Sequence, residues 1–182
     1  MRPIIPNGRQ YLNRTLDTVG NGSGTKNAIG DYSGGGLETF FIAPPATQTF
    51  LITRFLPQVV DAGSFDAASW GNGITLANGV KVAVVRGSTD EIDLTDANTL
   101  KTNADWGRVC FDVFVSTWGV GNEYLHARWS FFKGGVPGLY LHGAHSDKLV
   151  VTLNDDMSDL VAQYFAVQGH VLELDQHGVI IK

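Results

Sequence analysis

The sequence predicts an all-β fold, a two-sheet sandwich of jelly-roll type that carries an extended, glycine-rich N-terminal arm. Two contrasts predict it. Residues 37–182 contain short runs in which apolar and polar residues alternate, the pattern of half-buried strands. Residues 1–36 lack such runs and hold eight of the 22 glycines, so they gain little from burial on their own. We therefore predict an arm at 1–36 and a sandwich domain at 37–182.

The strands of the sandwich are predicted in order from this alternation. The clearest run is 80–86, which places Val80, Val82 and Val84 on one face. A longer β-rich run at 49–60 contains Pro57, which suits an edge strand or a bulge. The remaining predicted strands are 37–42, 74–76, 91–94, 109–115, 125–131, 139–141, 149–153, 165–171 and 179–181.

Glycine and asparagine mark the connections between these runs. Asn78-Gly79 lies between two strand-like runs and predicts a tight hairpin. Helical pieces are expected only around 96–98 and 158–162, where aspartates could cap a short turn.

Charge is divided unevenly along the chain. The net charge is −5, with residues 1–36 carrying +2 and residues 37–182 carrying −7. An acidic domain argues against a nucleic-acid-binding surface, because phosphate contacts need clustered lysine and arginine. A weakly basic arm could instead reach an acidic neighbour, and we expect Arg2, Arg9, Tyr11, Leu12 and Arg14 to anchor it there.

The sequence also bears on compartment. No apolar run approaches the ~20 residues that span a bilayer, and the first residues lack the apolar core of a signal peptide. We expect no membrane partner and synthesis in a reducing cytoplasm. Cys110, the only cysteine, lies in an apolar run and is expected to be buried.

Few residue patterns point to chemistry. The sequence has no nucleophile elbow, phosphate-binding loop or dinucleotide fingerprint, so we expect neither an enzyme nor a cofactor. His142, His145 and Asp147 fall within six residues and could converge on zinc or iron, although an exposed loop with solvated histidines is favoured. Asp155, Asp156 and Asp159 lack the calcium-loop pattern, and capping by Asp155 or Asp156 is the favoured interpretation.

Two tryptophans are candidate contacts with a partner. Trp70 and Trp118 lie in glycine-rich loops, where large aromatic side chains often anchor an interface or plug a loop. Trp129 instead falls on the apolar face of its predicted strand and is expected in the core.

Six stretches together resemble the virion accessory proteins of tailed bacteriophages. They are 38–45 (ETFFIAPP), 50–54 (FLITR), 76–82 (LANGVKV), 100–106 (LKTNADW), 151–156 (VTLNDD) and 164–169 (YFAVQG). The resemblance implies a β-sandwich that decorates or cements a capsid, or that serves as a small tail component. It supplies no catalytic residue.

The expected function is therefore that of a structural virion protein, a capsid decoration or cement subunit made in the host bacterial cytoplasm. Its expected partners are the major capsid protein or a tail protein and further copies of itself, as a trimer or dimer. The alternative is a tail or host-adhesion component with a receptor- or carbohydrate-binding sandwich. A sandwich-fold hydrolase or metal-dependent enzyme is the third hypothesis.

Overall fold

Two antiparallel sheets form the framework of the described part of the chain. The computed structural model describes residues 10–22, 27–34, 37–87, 90–95, 99–110, 112–117, 121–132 and 135–173. The strands in these residues are β1 (Gln10–Thr15), β2 (Glu38–Ile42), β3 (Gln48–Ala62), β4 (Lys81–Arg86), β5 (Asp90–Asp93), β6 (Asp112–Thr117), β7 (Asn122–Ser130), β8 (Leu139–His142), β9 (Lys148–Leu153) and β10 (Ala162–Glu173).

The strands divide into a large and a small sheet. The large sheet has the order β1-β10-β3-β7-β6, and β8 also pairs with β3. The small sheet has the order β2-β9-β4-β5. Since β3 is long, β7 pairs with its residues 54–62 and β8 with its residues 49–52. The predicted all-β, two-sheet fold is confirmed.

Aromatic side chains join the two sheets in the core. The rings of Phe55 in β3 and Phe165 in β10 stack with centroids 6.0 Å apart, and Phe40 of the small sheet lies 6.3 Å from Phe165. The predicted alternation in β4 is confirmed as well, because Val82 and Val84 are fully buried. These contacts hold the sheets together mainly through the hydrophobic effect.

The described part of the predicted arm belongs to the sandwich. β1 pairs with β10 through six residue pairs, and Leu12 in β1 is only 1% exposed. Directly after β1, Asp17 exchanges two backbone hydrogen bonds with Phe41 of the small sheet, at 3.2 and 2.9 Å. Further on, Ala28 is buried and its N–H bonds the carbonyl of Gln163 at 2.7 Å. The predicted boundary between 36 and 37 therefore does not divide the core.

Pro57 lies in the interior of the large sheet rather than at an edge. It pairs with Phe165 of β10, and the β3–β7 pairing has no partner for it between Phe55 and Gln58. Proline has no N–H to donate, so this gap costs little. The bulge occurs earlier in β3, where the β10 partner Gly169 approaches the backbone so closely that a Cβ would collide with the carbonyl of Leu51.

Local structure departs from prediction in several more places, among them the strand predicted at 74–76, where Ile74 forms only an isolated bridge with Trp70. The strand predicted from residue 109 starts later, at Asp112, and Val109 is instead the last residue of helix α1 (Trp106–Val109). Asp105 starts this helical turn by accepting hydrogen bonds from the N–H groups of Lys101 and Thr102. The residues after Asn78-Gly79 do not close a hairpin but pair with Leu100. The pieces predicted at 96–98 and 179–181 lie outside the described residues.

Candidate interaction site

In the described residues β6 exposes three consecutive apolar side chains, those of Val113, Phe114 and Val115. This strand ends the large sheet, and Phe114 and Val115 are 52% and 48% exposed on its two faces. Their register partners in β7 are the half-buried His126 and the buried Leu125. An edge strand leaves backbone N–H and C=O groups free to pair with another chain. Apolar side chains on both faces add hydrophobic surface to that capacity.

The outward face of the β6–β7 hairpin is lined with aromatic rings. Phe114 stacks on His126 with centroids 4.9 Å apart, and Tyr124 lies parallel to His126 at 6.1 Å. Together with Gln58 and Ser116 they line a shallow, largely apolar depression of about 590 Å³.

Neighbouring side chains hold the His126 imidazole in a partly dehydrated position. Its Nε2 atom lies 3.2 Å from the Ser116 hydroxyl. Burial lowers the pKa of His126 below the ordinary histidine value of 6.5. The neutral imidazole is therefore favoured at neutral pH, which keeps this patch uncharged.

We expect an NMR titration of the His126 ring to give a midpoint below 6.5. Because the pKa is lower in the folded than in the unfolded state, the contribution of His126 to stability is present above about pH 6.5 and is lost as the pH falls through the folded-state pKa. Phe114→Ala should move the midpoint back toward 6.5 by exposing the ring to water. A midpoint at or above 6.5 in the unmodified protein would contradict this assignment.

The predicted metal residues lie at the turn between β8 and β9. The rings of His142 and His145 are 5.5 Å apart, but Asp147 is fully buried and serves the turn itself. Its Oδ2 accepts the N–H of His142 at 2.9 Å and lies 3.5 Å from Arg86. His142 Nδ1 lies 3.2 Å from the Thr49 hydroxyl. Within the described part of the chain, no group of three His, Cys, Asp or Glu side chains is arranged to hold a metal ion.

Asp155 holds a loop by its carboxylate. It is buried and accepts hydrogen bonds from the backbone N–H groups of Ala77, Asn78 and Gly79 at 2.7 to 3.1 Å. Gly79 has a φ of +86°, and a Cβ there would lie 2.8 Å from the carbonyl oxygen of Leu100. Three convergent N–H groups satisfy the charge without a cation.

The other two aspartates of this cluster lie on the surface. Asp156 accepts hydrogen bonds from the N–H and hydroxyl of Ser158, at 2.9 and 2.5 Å, and closes a short turn. The helix predicted at 158–162 is wrong, because this turn leads directly into β10 at Ala162. Asp159 is exposed nearby.

Trp70 lies in the core, so the prediction that it contacts a partner at the surface is wrong. It is fully buried, its ring centroid is 5.3 Å from that of Trp106, and its indole N–H donates to Gln163 Oε1 at 2.8 Å. The loop that contains Gly71 and Gly73 therefore places the indole ring of Trp70 inside the protein. Trp118 lies outside the described residues. Trp129 is partly buried against the core, as its strand pattern predicts.

The structure separates the predicted arm anchors. Tyr11 and Arg14 are exposed on β1 and available to a partner, whereas the buried Leu12 packs in the chain's own core and cannot anchor the arm elsewhere. Arg2 and Arg9 lie outside the described residues. Alternation along β1 explains the difference between the adjacent Tyr11 and Leu12, which point to opposite faces.

Cys110 is buried as predicted. Burial raises the pKa of its thiol to about 12, so the sulfur is a neutral thiol at physiological pH and a poor nucleophile.

Sequence reasoning missed the β6 surface. The alternation placed Val113 and Val115 on a core face, but an edge position leaves both at the surface. A usable sign was present: residues 113–115 are three consecutive apolar residues, which departs from the pattern of a strand with one polar face.

Comparison with protein-family models found no match, and comparisons with curated proteins and with solved structures found none either. In the described residues no helix is long and apolar enough to cross a membrane.

Proposed function

We propose that the sandwich is a jelly roll extended by one hairpin. The strand order supports this, because β1-β10-β3-β8 in the large sheet and β2-β9-β4-β5 in the small sheet follow the pairing of two interleaved Greek keys. β6 and β7 then form an insertion that continues the large sheet beyond the eight-stranded frame. Jelly rolls occur in viral capsid proteins and in lectins.

We propose further that the chain is a structural virion protein of a tailed bacteriophage that binds and stabilises the capsid as a decoration subunit. The exposed apolar edge of the inserted β6 strand is the observation that carries this proposal. Such an edge can add to a sheet of a neighbouring chain by backbone hydrogen bonds. Many copies on a symmetric lattice make modest contacts sufficient through multivalency.

The partners follow from this setting. The major capsid protein is the proposed partner, with further copies of the same chain as a dimer or trimer around a symmetry axis. The resemblance of the sequence to phage accessory proteins supports the virion as the location.

The test is capsid binding by a variant of the β6 edge. We expect the purified chain to co-sediment with capsids that lack it and to raise their resistance to heat. Phe114→Lys should weaken co-sedimentation at least about tenfold, because burying an unpaired ammonium group at an interface is costly. Ile92→Lys is the matched control, since Ile92 is 48% exposed on β5 at the edge of the small sheet.

Two results would count against the proposal. One is a wild-type chain that neither sediments with capsids nor protects them. The other is Phe114→Lys binding as well as Ile92→Lys while both variants keep the wild-type circular dichroism spectrum and melting temperature.

A second candidate, a host-adhesion component that binds carbohydrate, is favoured by one observation. The aromatic depression on β6 and β7 also contains the hydrogen-bonding groups of Gln58 and Ser116, a combination suited to sugars. This function predicts glycan-array binding that Tyr124→Ala abolishes. Normal adsorption by virions lacking the chain would exclude it.

A further inference from the structure

Three of the five arginines in the described residues line one groove. Arg54 comes from β3, Arg108 from α1 and Arg128 from β7, and the groove has a volume of about 630 Å³. The whole chain carries a net charge of −5. A concentration of guanidinium groups on an acidic protein marks a place where an anion would be favoured.

One of these arginines has no partner of its own. Arg108 pairs with Asp105 at 3.1 Å and Arg128 pairs with Asp112 at 3.2 Å, and all four side chains are partly exposed. In the described residues the side chain of Arg54 takes part in no ion pair or hydrogen bond, although it is exposed beside the same groove. A guanidinium group offers five donors and pairs best with a planar carboxylate or with phosphate.

The walls of the groove add apolar surface to this charge. Trp129 and Val109 are partly buried there, and Phe132 is 65% exposed. An inorganic anion would satisfy Arg54 but leave the Phe132 ring in water. A ligand with both a carboxylate and an adjacent apolar side chain would satisfy both.

We infer that this groove binds an acidic peptide segment of a partner protein, with a carboxylate on Arg54 and a neighbouring apolar side chain against Phe132. Arginine paired with an aromatic wall is the combination enriched at energetically important positions of protein interfaces. The inference goes beyond the proposed capsid role and holds whichever protein supplies the segment.

The test is a fluorescence anisotropy titration of the full chain with a labelled 12-residue peptide, Asp-Phe-Glu-Leu repeated three times. We expect saturable binding that weakens as salt is raised. Arg54→Gln should raise Kd at least about tenfold, the usual scale of one charge-assisted pair. Arg14→Gln, on the exposed surface of β1, should leave Kd unchanged within about twofold.

Additional measurements identify the class of ligand. The same peptide with Asn and Gln for Asp and Glu should not bind. Sodium phosphate at matched ionic strength should displace the acidic peptide far less than unlabelled peptide does, and Phe132→Ala should weaken peptide binding. Equal displacement by phosphate, equal binding of the amide peptide, or no saturable binding would overturn the inference.

The same variants separate this inference from the capsid proposal. If Arg54→Gln leaves the peptide Kd unchanged, the inference that the groove binds an acidic peptide is overturned. The effect of Phe114→Lys on capsid binding would be unaffected by that result. A wild-type chain that binds the peptide but does not sediment with capsids would reject the capsid role and leave peptide binding by the groove intact.

Discussion

Replacing Asp155 with alanine is expected to lower the free energy of unfolding by about 3 kcal/mol or more. The carboxylate is the shared acceptor for the N–H groups of Ala77, Asn78 and Gly79. Its removal leaves the buried N–H of Gly79 without a partner, which costs about 1–3 kcal/mol, and also breaks two charge-assisted hydrogen bonds to the more exposed Ala77 and Asn78. Urea denaturation followed by circular dichroism measures the difference.

Asp156→Ala is the matched control for this experiment. Asp156 is the next residue and is exposed, and its carboxylate bonds Ser158 within its own turn. We expect it to cost less than about 1 kcal/mol. Equal destabilisation by the two variants would mean that the loop at 77–79 does not depend on the Asp155 carboxylate.

Leu12→Ala is expected to destabilise the fold by about 2–4 kcal/mol. Leu12 is almost completely buried in the core between the sheets, and shortening a buried leucine removes contacts and leaves a cavity. A residue in a separate arm would give no such loss. The experiment therefore tests whether the N-terminal segment is part of the folded domain in solution.

Tyr11→Ala provides the comparison, because Tyr11 is adjacent in β1 and 57% exposed. Its cost should stay within about 0.5 kcal/mol. Deleting residues 1–36 should abolish cooperative unfolding, since β1 contributes six pairs to β10. A truncated chain that unfolds cooperatively with near-normal stability would show that β1 is dispensable.

The alternation of apolar and polar residues predicted where strands form better than it predicted which strands lie side by side. Val82 and Val84 are buried as expected because β4 has one neighbour on each side and a covered face. The same pattern predicted a buried Val115, but Val115 is exposed because β6 ends the large sheet. Burial of a strand residue depends on the neighbouring strands as well as on its own sequence. The order of strands is a long-range property that local periodicity does not contain.

The prediction of a separate N-terminal arm failed for a related reason. High glycine content suggested too little apolar surface for folding, but Leu12 and Leu16 need only a groove supplied by the rest of the chain. Backbone pairing with β10 and with Phe41 then orders the segment. Composition measures what a segment could bury alone and omits what its neighbours offer.

The candidate sites show the same limit. A tryptophan in a glycine-rich loop can point outward or inward, and the polar partner that holds Trp70 inside is Gln163, 93 positions away. Arg54, Arg108 and Arg128 are likewise dispersed in sequence, so only the folded sheet brings them to one groove. Motif spacing can find a site only when its residues are close in the chain.

The positions of the described chain ends have a practical consequence for engineering. Gln10 pairs with Val171, so both ends of the described fold lie at the β1 side of the large sheet. β6 lies four strands away, about 19 Å across the sheet at the usual ~4.8 Å spacing. A fluorescent protein or displayed antigen joined directly to Gln10 or Glu173 would therefore start on the side opposite the exposed edge and leave it accessible.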